Sequence, residues 1–327
     1  MLNYILRRLM YMIVTLFFVT IIGFFLIQLP PGSALDAKLN QLRAQGGDLS
    51  QDQINSLAAR YGLNDPVQVK YWKWISGVVR GDFGQSFTYD APVGSLIGSR
   101  ILFSVILSTG ALLFTWLVAI PVGVYSATHR YTVPDYVVTF IQFVGVAVPD
   151  FLLALILLVF ASQRLHTDLT GLFSTQYTNA PWSGAKLLDL ARHLWIPVIV
   201  IGAGSTAWTT RVMRGNLLDV LNQQYVQTAR AKGLQETLVI WKHAVRNALH
   251  PLIMTLGTLL PALISGEVIV SIVLNLPTTG PLYFSALINK DMYLAITFLL
   301  FLSVMLVVGN LMADLLLAWV DPRVRLE

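Results

Sequence analysis

Cysteine is absent from the 327 residues, and with it go disulfide frameworks, thiolate-bound zinc, iron–sulfur clusters and thiol nucleophiles. Charge is scarce as well, at 12% of positions against 55% hydrophobic residues, with a mean hydropathy of +0.66. That apolar content exceeds what one soluble core holds and places the chain in a bilayer. No Lys-Ser or Lys-Thr pair occurs, so a GxxxxGK[ST] phosphate loop is impossible and the chain cannot be its own P-loop ATPase. HExxH is missing too. Ser205 in the run Gly202–Ala207 would serve as a nucleophile only with a base in reach. His129, His166, His193, His243 and His250 all fall at loops or at the ends of apolar runs. The small residues of that run fit a close helix crossing instead.

What is present is a series of apolar runs. A span needs about 20 apolar residues, the quotient of about 30 Å of hydrocarbon and a 1.5 Å helical rise. The first covers residues 1–29, opens with Arg7-Arg8 and is closed by Pro30-Pro31-Gly32. It is too long for a signal peptide and lacks a cleavage site. Five more are expected near 101–127, 137–161, 194–212, 252–274 and 294–320. The fold class expected is therefore an all-α membrane protein with six transmembrane helices, divided as residues 1–32, 33–100 and 101–327. Residues 33–100 are polar and well punctuated, predicting two or three short helices in an outer subdomain. Ser50 to Gln53 resembles a capping box with Gly62 as the stop, and Asp65-Pro66 fits an N-cap followed by proline at the first helical position.

The net charge of +5 reads as a topology signal toward anionic headgroups, not as a nucleic-acid surface. With both termini inside, eleven of the 22 Lys and Arg fall on the cytoplasmic side and four in the two later outer loops, the other seven lying in the long first loop. That imbalance supports the orientation. Asp150 follows Pro149 inside the third run, where a charge at mid-bilayer costs about 2.5 to 3.5 kcal/mol and must face protein or water. The proline frees a carbonyl, so a kink or break is expected. Asp150 either lines a translocation path or caps the second half of a broken helix. Glu267 in the fifth run is a second pathway candidate, and Asp314 is expected at an interface or against a neighbouring helix.

Between the fourth and fifth runs lies a polar, basic stretch, residues 225–251, YVQTARAKGLQETLVIWKHAVRNALHP. Ala229 and Ala231 are small, Gly233 can take positive φ, and TLVIWKHAVRNAL resumes helical periodicity. A helix, a turn and a second helix are predicted, with Arg230, Lys232, Lys242 and Arg246 available for polar contacts. An ordinary cytoplasmic loop made basic by topology explains the charge equally well.

YVQTARAKGL followed by HAVRNALHP resembles the cytoplasmic coupling loop, the EAA-type motif, of permease subunits from ATP-binding cassette importers, in the dipeptide and oligopeptide branch. LRR at 6–8, YGLNDPVQVKYWKWI at 61–75, GDFGQSF at 81–87 and DPRVRL at 321–326 agree with it. The resemblance implies a type I importer fold in a bacterial inner membrane, with a coupling helix that docks into a groove on a separate ATPase. The coupling role falls on Ala229, Arg230, Ala231, Lys232 and Gly233. Gln227 and Thr228 stand where the motif has Glu-Ala, and Thr278 in NLPTTG replaces a glycine of the family turn. The implied partners are a second permease subunit, two ATPase subunits and an external substrate-binding protein. The chain itself needs no cofactor and does no bond chemistry; ATP and magnesium belong to the ATPases. The implied cargo is peptides or another small oligomeric solute. A proton-coupled secondary transporter using Asp150 or Glu267 is the alternative, and inverted repeats that would favour it are absent.

Overall fold

A computed structural model describes residues 2–29, 39, 50–60 and 65–320. The Pro30-Pro31-Gly32 closure, the Gly62 stop and the DPRVRL ending lie outside the described residues. In chain order the helices are α1 Leu2–Gln28, α2 Gln51–Arg60, α3 Val67–Val78, α4 Val93–Thr128, α5 Val133–Ala147, α6 Asp150–Arg164, α7 Gly184–Leu221 and α8 Gln224–Ala231. After α9 Glu236–Leu238 comes a π-helical stretch, Val239–Val245, then α10 Arg246–Ala248, α11 His250–Met254, α12 Leu256–Val273, α13 Thr279–Ile288 and α14 Met292–Val320. Among the described residues the only β pairing is an isolated bridge between Gln85 and Pro92.

Among the described residues five helices are long and apolar enough to cross a membrane, six if the bent pair α5 and α6 counts as one span. The expected third span is not a straight rod. It breaks at Val148-Pro149 with a bend of 103°, because proline removes the amide that would continue the ladder. Each 15-residue half spans roughly 22 Å at 1.5 Å per residue. Helices α4, α7 and α14 outrun their apolar runs, whereas α1 and α12 lie within theirs. Helix α7 has 38 residues where 194–212 was expected, with Ser183 as N-cap accepting from the Lys186 amide at 3.2 Å. Hydropathy marks what lipid requires, whereas capping chemistry decides where the helix stops.

The contacts divide the chain into two units. One comprises Ile5–Ser104 and Pro277–Val304. Its centre is Phe24 of α1 against Tyr71 and Trp74 of α3, with Phe87, Met292 and Ile296. The Phe24 and Tyr71 rings meet edge-on at 5.4 Å, and Thr20 Oγ1 lies 3.1 Å from the Tyr71 hydroxyl. The capping box at Ser50 forms as expected, with Ser50 N donating to Gln53 Oε1 at 3.0 Å and Gln53 N to Ser50 Oγ at 3.4 Å. Asp65 does not cap α3. Pro66 occupies the N-cap, so the helix starts one residue later, and Asp65 takes the Lys73 ammonium at 2.6 Å instead.

The GDFGQSF segment has a structural task in this unit. Gly81 and Gly84 hold φ of +82 and +86, a region that side chains disfavour. A Cβ on Gly84 would stand 3.1 Å from the Tyr293 ring. The turn delivers Ser86 Oγ and the Thr88 amide to the buried Asp291 carboxylate at 2.5 and 3.0 Å. In NLPTTG, Thr278 is buried at φ −98 as the N-cap of α13. No left-handed backbone is needed there, so threonine replaces the family glycine without strain.

The second unit contains Val105–Leu276 and the chain from Met305 onward. Helix α7 is its axis, touched by α5, α6 and α12. Helix α4 crosses it through glycines: a Cβ on Gly202 would meet Phe114 at 2.7 Å, and one on Gly123 would meet Met213 at 2.8 Å. The small run at 202–207 thus lets helices approach closely, as expected. Gly257 and Gly309 do the same for α12 against α14, where a Gly309 Cβ would come within 2.9 Å of the Gly257 Cα.

Candidate functional site

The basic stretch folds as the predicted helix, turn and second helix, all within the α7 unit. Only Asn222 and Gln223 separate the end of α7 from α8, so the hairpin is a direct continuation of the axial helix. Gly233 ends α8 with φ +74. Its amide donates to Arg230 O at 2.9 Å and the Leu234 amide to Ala229 O at 3.4 Å, the paired bonds of a Schellman cap. A Cβ on Gly233 would meet nothing within 4 Å. Glycine is required there by backbone geometry and not by crowding.

One face of the hairpin is core. Val226, Ala229, Val239, Ala244, Val245, Ala248 and Leu252 pack against Val124 and Ala127 of α4 and against Met213 and Leu217 of α7. Val226, Val239, Met213 and Leu217 are fully buried, each worth about 1.5 to 3 kcal/mol relative to exposure. The hairpin is therefore a packed extension of the helices, not a loose connection. The second helix accommodates this through its π-helical stretch, a geometry found often at functional sites.

The five residues assigned to coupling divide between two faces. Ala229 points into the core, 6% exposed, while Ala231, Lys232 and Gly233 are exposed. Arg230 was expected to be available but is engaged within the chain. Its Nη2 lies 2.6 Å from Glu236 Oε1 and its Nε 3.1 Å from Oε2. These bonds hold the Glu236 carboxyl below its usual range and raise the Arg230 guanidinium. Arg246 is likewise occupied, donating from Nε to Val320 O at 2.5 Å at the end of α14. Lys232 and Lys242 make no ion pair among the described residues. Gln227 donates to Leu221 O at 3.2 Å and Thr228 to Gln224 O at 2.9 Å, both local tethers.

Two hollows flank the hairpin. One, of about 460 Å³, lies among Tyr225, Lys232, Lys242, His243, Arg246 and Val320. The other, of about 390 Å³, is bordered by His129, Arg130, Arg230 and Glu236.

The pathway candidates stand apart from this site. Asp150 is exposed in the first turn of α6, immediately after the break, with Pro149 and not Asp150 in the N-cap position. Glu267 is wholly buried on α12. Sequence reasoning missed Asp135 and used Arg214 only as a topology marker. Asp135, in the first turn of α5, is 3% exposed. It receives Arg214 Nη2 at 2.9 Å, Arg214 Nε at 3.2 Å, the Tyr131 amide at 3.0 Å and the Ser126 hydroxyl. The signal was Thr132-Val-Pro-Asp135, a helix start with proline and an acid in the first turn.

Residues 119–326 match the family described as binding-protein-dependent transport system inner membrane component. Residues 1–108 match its N-terminal membrane component. The chain is 36% identical over 322 residues to the oligopeptide transport system permease protein AppB of Bacillus subtilis, covering 98% of each chain. It is 33% identical to a putative peptide permease protein of Brucella ovis, over 99% of both. It is 29% identical to the oligopeptide transport system permease protein OppB of Escherichia coli, over 99% of this chain and 100% of that one.

Proposed function

This chain belongs to the binding-protein-dependent transport system inner membrane components, and from that premise we propose that it is the permease subunit of an ATP-driven peptide importer. The observation that carries the reading is the end-to-end match to permeases named for oligopeptide transport. The chain is a multi-pass membrane protein. Both termini and the hairpin face the cytoplasm in this reading, as the distribution of Lys and Arg favours. It works beside a second permease subunit, two ATPases that hold ATP and magnesium, and an external binding protein that delivers peptide. Ala231, Lys232 and Gly233 present the coupling turn, and Ala229 and Arg230 hold it in shape.

In mechanical terms, a push on α8 is delivered to α7, because the core beneath the hairpin leaves it little independent movement. Helix α7 contacts the broken pair α5 and α6, an element able to take two arrangements. Asp150, at the break, is the candidate for facing the path, and Glu267 has the buried position of a residue that responds to rearrangement. The proton-coupled alternative is not favoured by the family match. The complex in proteoliposomes, supplied with binding protein and labelled peptide, is the test. Uptake that needs ATP and survives a protonophore is expected. Uptake that persists without ATP and collapses with the proton gradient would overturn the reading.

A further inference from the structure

The hairpin's charges are unevenly committed. Within residues 222–254 there are four cations, Arg230, Lys232, Lys242 and Arg246, and one carboxylate, Glu236. Glu236 is consumed by Arg230 on the side of the smaller hollow. The larger hollow, next to the Gly233 turn, is left with Lys232, Lys242, His243 and Arg246 on its walls, and among the described residues no acid lines it. Tyr225 and Asn247 complete the wall, with Asn247 Nδ2 donating to the Tyr225 hydroxyl at 2.7 Å. Position fixes the cations as well as sequence does. Lys232 is the C-cap of α8 and is placed by the Schellman turn, while Arg246 is held by its bond to the end of α14.

Three like charges around one concavity repel each other, and an anionic partner relieves that cost. The neutral Gln227 and Thr228 contribute no acid of their own. We propose that this hollow is the electrostatic half of the coupling interface, receiving a carboxylate-bearing segment of the ATPase subunit between Lys232 and Lys242. The inference rests on the coupling reading and adds its polarity: the permease surface is the cation and the ATPase surface the anion.

The test uses the intact complex extracted from membranes in mild detergent, with the permease tagged and the ATPase quantified by mass spectrometry and ATP hydrolysis. Lys232→Glu with Lys242→Glu is expected to weaken ATPase retention at least tenfold, since reversed charges face like charges. Lys232→Gln with Lys242→Gln should fall between, and wild-type retention should decline as NaCl rises from about 50 to about 500 mM. A lysine placed on the contacting acidic residue of the ATPase should restore binding to the glutamate variant, which a merely misfolded permease would not show. Wild-type retention that the glutamate pair and salt leave unchanged overturns the polarity while leaving the coupling reading intact. Wild-type permease that retains no ATPase at all overturns the coupling reading itself. Loss confined to binding of phosphatidylglycerol vesicles, with ATPase retention unchanged, assigns the hollow to lipid and overturns the proposal.

Discussion

Arg214→Met is the sharpest test of how the hairpin end of the molecule is held together. Asp135 is 3% exposed and accepts four hydrogen bonds, two of them from Arg214. Methionine keeps much of the apolar stem and removes the cation. Stripping a partner from a fully buried pair costs about 3 to 5 kcal/mol. Here the Arg214 side chain is 29% exposed, and Ser126 and Tyr131 still donate, so the cost falls to about 2 to 3 kcal/mol. Asp135→Asn leaves a guanidinium that reaches water, and costs about 1 to 2 kcal/mol. Because both changes remove the same contact, the double variant should be less destabilised than the sum by about 1 to 2 kcal/mol. Thermal unfolding of the detergent-solubilised chain reads this out. At about 2 to 4 °C per kcal/mol for a unit of this size, Arg214→Met should lower Tm by about 5 to 10 °C. If the two single effects simply add, or if Arg214→Met moves Tm by less than about 1 °C, the Asp135–Arg214 pair does not hold α5 to α7.

Gly233→Val should cost about 1 to 2 kcal/mol from backbone strain alone, because left-handed φ is disfavoured for a β-branched residue while the space around it is open; ATPase co-purification and peptide uptake should fall together. Gly257→Leu should prevent α12 from seating on α14, since even a Cβ would overlap the Asn310 side chain and stand 3.0 Å from its Cα; a monodisperse, fully active variant would contradict the close crossing. The lowered Glu236 carboxyl contributes stability that is present above its ordinary unfolded value, about 4.3, and is lost as pH falls through the folded value. The protection factor of the Leu234 amide, its exchange rate taken relative to the intrinsic base-catalysed rate, should therefore fall in acid and hold steady between pH 6 and about 9, with a small amplitude because both side chains are partly exposed. Asp150→Asn should reduce uptake without lowering ATP hydrolysis if that carboxylate faces the path; normal uptake would remove it from the pathway.

Much of the architecture was legible because lipid enforces it. A run long enough to cross hydrocarbon must be helical, so six spans could be read from hydropathy, the break at Pro149 from one residue, and the hairpin from a polar interval with Gly233 at its turn. Local chemistry was legible where both partners are near in sequence, as in the capping box of Ser50 and Gln53. It failed at Asp65, where a cation two turns away, Lys73, outbid the backbone for the carboxylate.

By itself, the sequence determined membrane residence, the order of the helices, the polar hairpin that turns at Gly233, and the absence of a P-loop and of thiol chemistry, since each follows from composition or from contiguous residues. Only the tertiary structure decided which side chains are committed. Arg230 to Glu236, Arg246 to the end of α14, and Arg214 to Asp135, 79 positions away, are choices made by proximity in space. Of the four hairpin cations, that selection leaves the Lys232 and Lys242 ammonium groups turned outward. Spacing along the chain does not encode which charges meet, because a helix brings together groups that hydropathy and period treat as unrelated.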